Sequence, residues 1–218
     1  TEWKKTVHRK EIEVVSAYGV MLENQIGYIR IASFKENTVE QFQTALQNLL
    51  KNGAKALVFD VREDGGGLVA ALEKIVDPLL PEGDIATATY NNGETKLLVH
   101  SDANELQLPM MVLVNGNTAS AAELFTASLK DFGKAEVIGE QTFGKGIMQN
   151  TVEMKDGGAV TLTVATYQTT RGECYHGVGI TPDVVIKEDY ETIDFDHPNP
   201  DNDAQLKQAM ELLEKKMH

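Results

Sequence analysis

The sequence predicts an α/β domain with a central sheet. Short apolar runs bounded by turn residues, of which Ala56 to Val61 and Met110 to Val114 read as buried strands, alternate with segments whose apolar residues recur at helical spacing. The chain has 218 residues, 42% hydrophobic and 24% charged, which fits one globular domain with or without a small appendage and excludes disorder, collagen and coiled coil.

In chain order, Glu11 to Val15 alternates like a strand, and Gln25 to Ser33 reads as a strand carrying Ile26, Tyr28, Ile29 and Ile31. Thr38 reads as a helix N-cap with Gln41 as its capping-box partner; Val39, Phe42, Ala45, Leu46 and Leu49 follow at helical spacing, and Gly53 ends the helix. After the strand at Ala56, Arg62 to Gly67 is a turn, and Leu68 to Leu80 is helical in pattern until Pro78 and Pro81 disturb it. Ile85 to Tyr90 and Thr95 to Val99 flank a hairpin turn at Asn91-Asn92-Gly93-Glu94. A loop at Asn115 to Thr118 then leads to a helix from Ser120 to Asp131. Strands follow at Ala135 to Ile138, Ile147 to Met154 and Ala159 to Gln168, and a last helix at Ala204 to Lys216.

Composition narrows function. A net charge of −13 repels nucleic-acid backbones. The first ten residues are basic through Lys4, Lys5, Arg9 and Lys10, while Asp183 to Asp203 is strongly acidic; both read as solvated surface. The longest apolar run, Met110 to Val114, is too short to cross a bilayer. One cysteine, Cys174, forms no internal disulfide and excludes a cysteine-rich zinc site. No metal or cofactor is expected. The chain starts at Thr1 without Met or a signal peptide, and a longer parent is expected.

Nucleophiles are scarce. Ser120 follows a buried strand and a polar loop and opens a helix, so its hydroxyl lies where helix N-terminal N–H groups, including that of Ala121, converge on developing negative charge. The plain alternative is that Ser120 or Thr118 caps the helix. His8, His100, His176, His197 and His218 read as surface or turn residues, so no Ser-His-Asp arrangement stands in local register. A neutral lysine also activates serine. Lys145, between Gly144 and Gly146, is a candidate, or an ordinary exposed turn residue. Gly139 to Lys145 fits the start of a phosphate-binding loop, but Gly146 stands where Ser or Thr is needed and a strand follows where a helix should. Asp64 to Gly67 is a tight strand-to-helix turn, or a backbone N–H aimed at an oxyanion.

Five segments in order, Gly27 to Ile31, Arg62 to Gly67, Asn115 to Leu124, Gly139 to Gln149 and Gly177 to Asp183, resemble the C-terminal processing, or tail-specific, serine peptidases over about Ile12 to Ile186. The resemblance implies a crotonase-like, Clp-protease-like fold, with a central mixed sheet flanked by helices. It implies Ser120 as nucleophile, Lys145 as general base, Gln149 as the group positioning the lysine, the N–H groups of Ala121 and Gly66 as oxyanion hole, and Asp131 as structural support. It further implies polypeptide substrates cleaved near their C termini by acyl transfer, an extracytoplasmic and membrane-tethered parent, and a homo-oligomer as one possible state. Asp64 and Gly65 depart from the family's usual Asn and Pro, putting a carboxylate near the oxyanion site.

The family usually carries a PDZ domain before its catalytic core, and the resemblance implies that this chain is the catalytic part without it. Residues 1–22 are expected to be the PDZ domain's exit strand and linker, 23–190 the peptidase core, and 191–218 an acidic segment and a helix packing on that core. Loss of the PDZ module is expected to make the chain a weak protease. The alternative function is a catalytically inactive relative that binds peptides or hydrophobic ligands.

Overall fold

The computed structural model describes Thr6, residues 14–102 and residues 104–217. In chain order these form β1 (Ala17–Met21), β2 (Ile26–Ile31), α1 (Glu36–Lys51), β3 (Ala56–Asp60), α2 (Val69–Val76), β4 (Gly83–Tyr90), β5 (Thr95–Ser101), β6 (Met110–Val114), α3 (Ala121–Asp131), β7 (Ala135–Gly139), β8 (Ile147–Glu153), β9 (Ala159–Thr169), β10 (Val184–Val185) and α4 (Ala204–Met217). The main sheet has the order β1-β2-β3-β6-β7-β10, and a second has the order β5-β4-β9-β8. In the main sheet β2, β3, β6, β7 and β10 run parallel and β1 pairs antiparallel to β2. The expected α/β architecture with a mixed central sheet is borne out.

Alternation along the strands decides which face each side chain serves. Ile29, Ile31, Leu57, Phe59, Val112 and Val114 join the core that also holds Phe42 and Leu46 of α1, Leu72 and Ile75 of α2, and Leu124, Phe125 and Leu129 of α3. Their neighbours Ile26, Tyr28, Val58, Met111, Leu113 and Ile138 turn to the opposite face and meet Leu206, Ala209, Met210 and Leu213 of α4. Strands covered on both faces need no polar side, hence the continuous apolar runs.

Three local expectations change. Helix α1 starts at Glu36, and Thr38 lies inside it, its hydroxyl accepting from Lys35 N–H at 2.9 Å and donating to Ser33 O at 2.9 Å. Gln41 does not reach back to Thr38 N–H; its Oε1 accepts from Ser16 N–H at 2.8 Å and Ala17 N–H at 3.0 Å, tying the approach to β1. The early strand is Ala17–Met21: Val14 and Val15 precede it without strand pairing, and Glu11 to Glu13 lie outside the described residues. β1 is therefore an edge of the main sheet and lies before the boundary expected at 22/23.

A buried ionic network joins the main sheet to the turn after β3. Tyr28 Oη donates to Asp60 Oδ2 at 2.7 Å, Arg30 reaches Asp60 Oδ1 at 3.3 Å, and Arg62 Nη2 lies 2.6 Å from both Asp60 Oδ2 and Asp203 Oδ2. Burial alone raises the pKa of Asp60, but the Arg62 and Arg30 charges outweigh it and hold the carboxyl below its ordinary value.

Candidate active site

The site forms where two turns leave the C-terminal ends of neighbouring parallel strands, β3 and β6. After β6, Thr118 Oγ1 donates to Val61 O at 2.8 Å, so it stitches the turns together and does not cap α3. Asn115 Oδ1 accepts from Glu63 N–H at 3.0 Å, and Ala119 N–H donates to Asp64 O at 2.9 Å. Ser120 follows with φ 57° and ψ −119°. That backbone conformation is costly for any side chain and concentrates at functional turns between strand and helix.

Glu123 holds this conformation. It is fully buried one turn into α3, where its Oε2 accepts from Ser120 N–H at 3.0 Å and Lys145 N–H at 2.7 Å. Its Oε1 accepts from Thr142 Oγ1 and Gly144 N–H, both at 2.6 Å. One carboxylate thus locks the serine turn to the lysine loop, with all its lone-pair directions used. Sequence reasoning missed Glu123, although Ser120-Ala121-Ala122-Glu123 has the capping-box spacing.

The expected site residues are brought together only in part. Gly66 lies against the serine turn: with φ +95°, a Cβ there would be 2.7 Å from Ala119 O and from Ala121 N. Ala121 N–H is at the first helical position, where no intrahelical acceptor exists. Gly66 N–H, however, donates to Asp64 Oδ1 at 2.7 Å, so this half of the expected oxyanion hole is occupied by the chain itself. Asp64 is fully buried, its Oδ2 has no hydrogen-bond partner, and burial pushes its pKa up to about 7 against the opposing Gly66 N–H bond and Arg30 charge.

Lys145 is half-buried, and no hydrogen bond joins its Nζ to Ser120 Oγ. Phe143, two residues before it, is 64% exposed and does not cover it. Gln149 is exposed on β8 and makes no side-chain hydrogen bond to Lys145. Asp131 accepts from Thr169 Oγ1 at the end of β9, and a Cβ at Gly172 would overlap its Oδ2. It therefore joins the C terminus of α3 to the end of β9, away from Ser120. His176 Nδ1 is 3.2 Å from Gly144 O, and none of the described histidines bonds to Ser120. A strand, β8, follows the glycine loop at Lys145, which excludes the phosphate-loop reading. Among the described residues no cluster of His, Cys, Asp and Glu suits a metal ion, and no helix is long and apolar enough to cross a membrane.

The model for peptidase family S41 matches residues 25–186. The chain belongs to peptidase family S41. It is 35% identical over 215 residues to the carboxy-terminal processing protease CtpA of Bacillus subtilis, covering 95% of this chain and 46% of that protein. It is 39% identical over 166 residues to the chloroplastic C-terminal processing peptidase of Tetradesmus obliquus, covering 75% of this chain and 36% of that protein. Among solved structures, the photosystem II D1 C-terminal processing protease superposes with a TM-score of 0.72 at 33% identity, over 82% of this chain and 50% of that one. The S41 chain described here thus spans half or less of the length of these relatives.

Proposed function

We propose that this chain carries the catalytic centre of a serine endopeptidase that cleaves polypeptides near their C termini. Ser120 Oγ attacks the scissile carbonyl carbon and its proton passes to Lys145 Nζ. The tetrahedral oxyanion rests on backbone N–H groups at Ala121 and Gly66. The C–N bond then breaks, the amine leaves with the proton from Lys145, and water releases the acyl-enzyme by the same route. Gln149 positions the lysine. The observation that carries this reading is the strained backbone at Ser120, fixed by Glu123 to the loop of Lys145.

Two contacts must change before turnover: Lys145 Nζ has to swing to Ser120 Oγ, and Gly66 N–H has to leave Asp64 Oδ1. These contacts favour a chain that is weak by itself and assembles its site with support from a PDZ module; the family resemblance, not the site, is what supports an extracytoplasmic, membrane-tethered parent, with a homo-oligomer as one possible state. The same contacts favour a second reading, an inactive relative that binds peptides. A fluorophosphonate probe separates the two. The peptidase reading expects covalent labelling that Ser120→Ala abolishes; absence of labelling in a chain extended by a PDZ module would overturn it.

A further inference from the structure

Tyr167 enters the site from β9, in the smaller sheet. Its hydroxyl oxygen lies 2.8 Å from the backbone carbonyl of Lys145 and 3.3 Å from Ser120 Oγ. Its own N–H donates to Gly146 O at 3.0 Å, so the residue grips both sides of the lysine loop. The ring is 3% exposed and packs edge-on to Tyr175, with centroids 6.1 Å apart. A phenylalanine would fill the same volume. The hydroxyl needs partners, and two of those in reach belong to the residues assigned as nucleophile and base, beside the buried hydroxyl of Tyr175.

A phenol has one proton. Two acceptors share it, the Lys145 carbonyl at 2.8 Å and Ser120 Oγ at 3.3 Å. Ser120 Oγ therefore receives a hydrogen bond from the phenol, and the serine's own proton is left to point elsewhere. Burial raises the pKa of Tyr167, which keeps the phenol neutral at ordinary pH.

We propose that Tyr167 is a further catalytic residue: its phenolic O–H donates to Ser120 Oγ, holding it in register with the lysine loop and leaving the serine's own proton free to pass to Lys145. This rests on the assignment of Ser120 as nucleophile. Because the contact is to the reacting oxygen and not to the substrate, it acts on kcat.

The test is Tyr167→Phe in the intact enzyme, with fluorophosphonate labelling and peptide turnover measured beside thermal unfolding. Labelling rate and kcat should fall about tenfold, the scale of one lost hydrogen bond, with KM kept within about twofold and the melting temperature little changed. A fluorinated tyrosine at position 167 keeps the shape but makes the phenol more acidic, and should move the alkaline limb of the kcat profile to lower pH. Packing alone would not move that limb. The proposal is overturned if Tyr167→Phe keeps kcat and labelling within about twofold of the parent. Should that variant fold poorly, an unchanged pH profile with the fluorinated residue overturns it. Ser120→Ala and Lys145→Ala are run in parallel. Parent-level labelling in Lys145→Ala would remove the lysine as base while leaving the tyrosine result to stand or fall separately.

Discussion

Ser120 is held at φ 57°, a conformation that glycine adopts without cost and other residues at about 1–3 kcal/mol. Ser120→Gly should therefore unfold at higher urea than Ser120→Ala, by about 1 kcal/mol, although neither can be labelled; equal midpoints would show that no strain is stored there. On the proposed mechanism Ser120→Ala and Lys145→Ala should each abolish peptide cleavage, and the double variant should lose no more than either single one, because there the two side chains would serve one proton transfer. Asp64 supplies a pH dependence. Its pKa is raised to about 7 in the folded chain, above its ordinary value, so between about pH 4 and 7 the native state binds the extra proton. Its contribution to stability is complete below about pH 4 and is lost as pH rises through 7, by roughly 4 kcal/mol at the upper limit. The charged group acting on it is Arg30 of β2, itself paired with Asp60. Asp64→Asn, which keeps an acceptor for Gly66 N–H, should flatten the fall in melting temperature across pH 4–8. A fall as steep as the parent's would assign the pH dependence to other groups.

The turn after β3 matters as an element because everything on it is anchored from elsewhere. Arg62 is 1% exposed and bonds to Asp60 on β3 and to Asp203 and Gln205 at the start of α4. Arg62→Ala leaves buried Asp203 without its cation and Asp60 with Arg30 alone, and should cost about 3–5 kcal/mol in denaturant unfolding. Arg62→Lys should recover less than half of this, since an ammonium cannot bond bidentately to both acids. The turn carries Gly66, so labelling of Ser120 should fall in Arg62→Ala even at temperatures where the protein remains folded. Gly66→Ala acts on the same junction directly: its Cβ would press on the backbone of residues 119 and 121 at φ +95°, and a protein that folds and labels normally with alanine there would contradict the packing described.

At the scale of the whole molecule, the two sheets have different work. The main sheet is covered on both faces and sets the positions of the turns after β3 and β6. The smaller sheet brings Tyr167 of β9 to the site, while most of β8 and the first half of β9 stand exposed with Val152, Val160 and Leu162 on the surface. A site shared between two sheets is sensitive to how they are braced. The chain alone should therefore cleave an unfolded protein more slowly than the same chain extended by a PDZ module, at equal concentration, while labelling by a small fluorophosphonate differs less. Equal cleavage rates would show that the catalytic centre needs no such support.

The sequence by itself determined the order of strands and helices, because burial on one stripe or on both faces leaves periods that survive in the residue pattern, as in Phe42-Ala45-Leu46-Leu49 and Met110 to Val114. It also marked Ser120 and Lys145, through the turn chemistry around them and the resemblance of five segments. It did not mark β1, whose Gly19 lies where a Cβ would come within 3.1 Å of Ala45 and Leu49 of α1, a close approach with no local signature. Nor did it reveal the joints of the site. Glu123 bonds to residues about twenty positions away, Tyr167 to Ser120 across 47, and Arg62 to Asp203 across 141. Whether Gly66 N–H faces an oxyanion or Asp64 is likewise decided by a buried turn pressed against Ala119 and Ala121. Periodicity is a local consequence of which face is buried, and so it can be read along the chain. The partners of a buried polar group are fixed only when the strands pair and the turns meet.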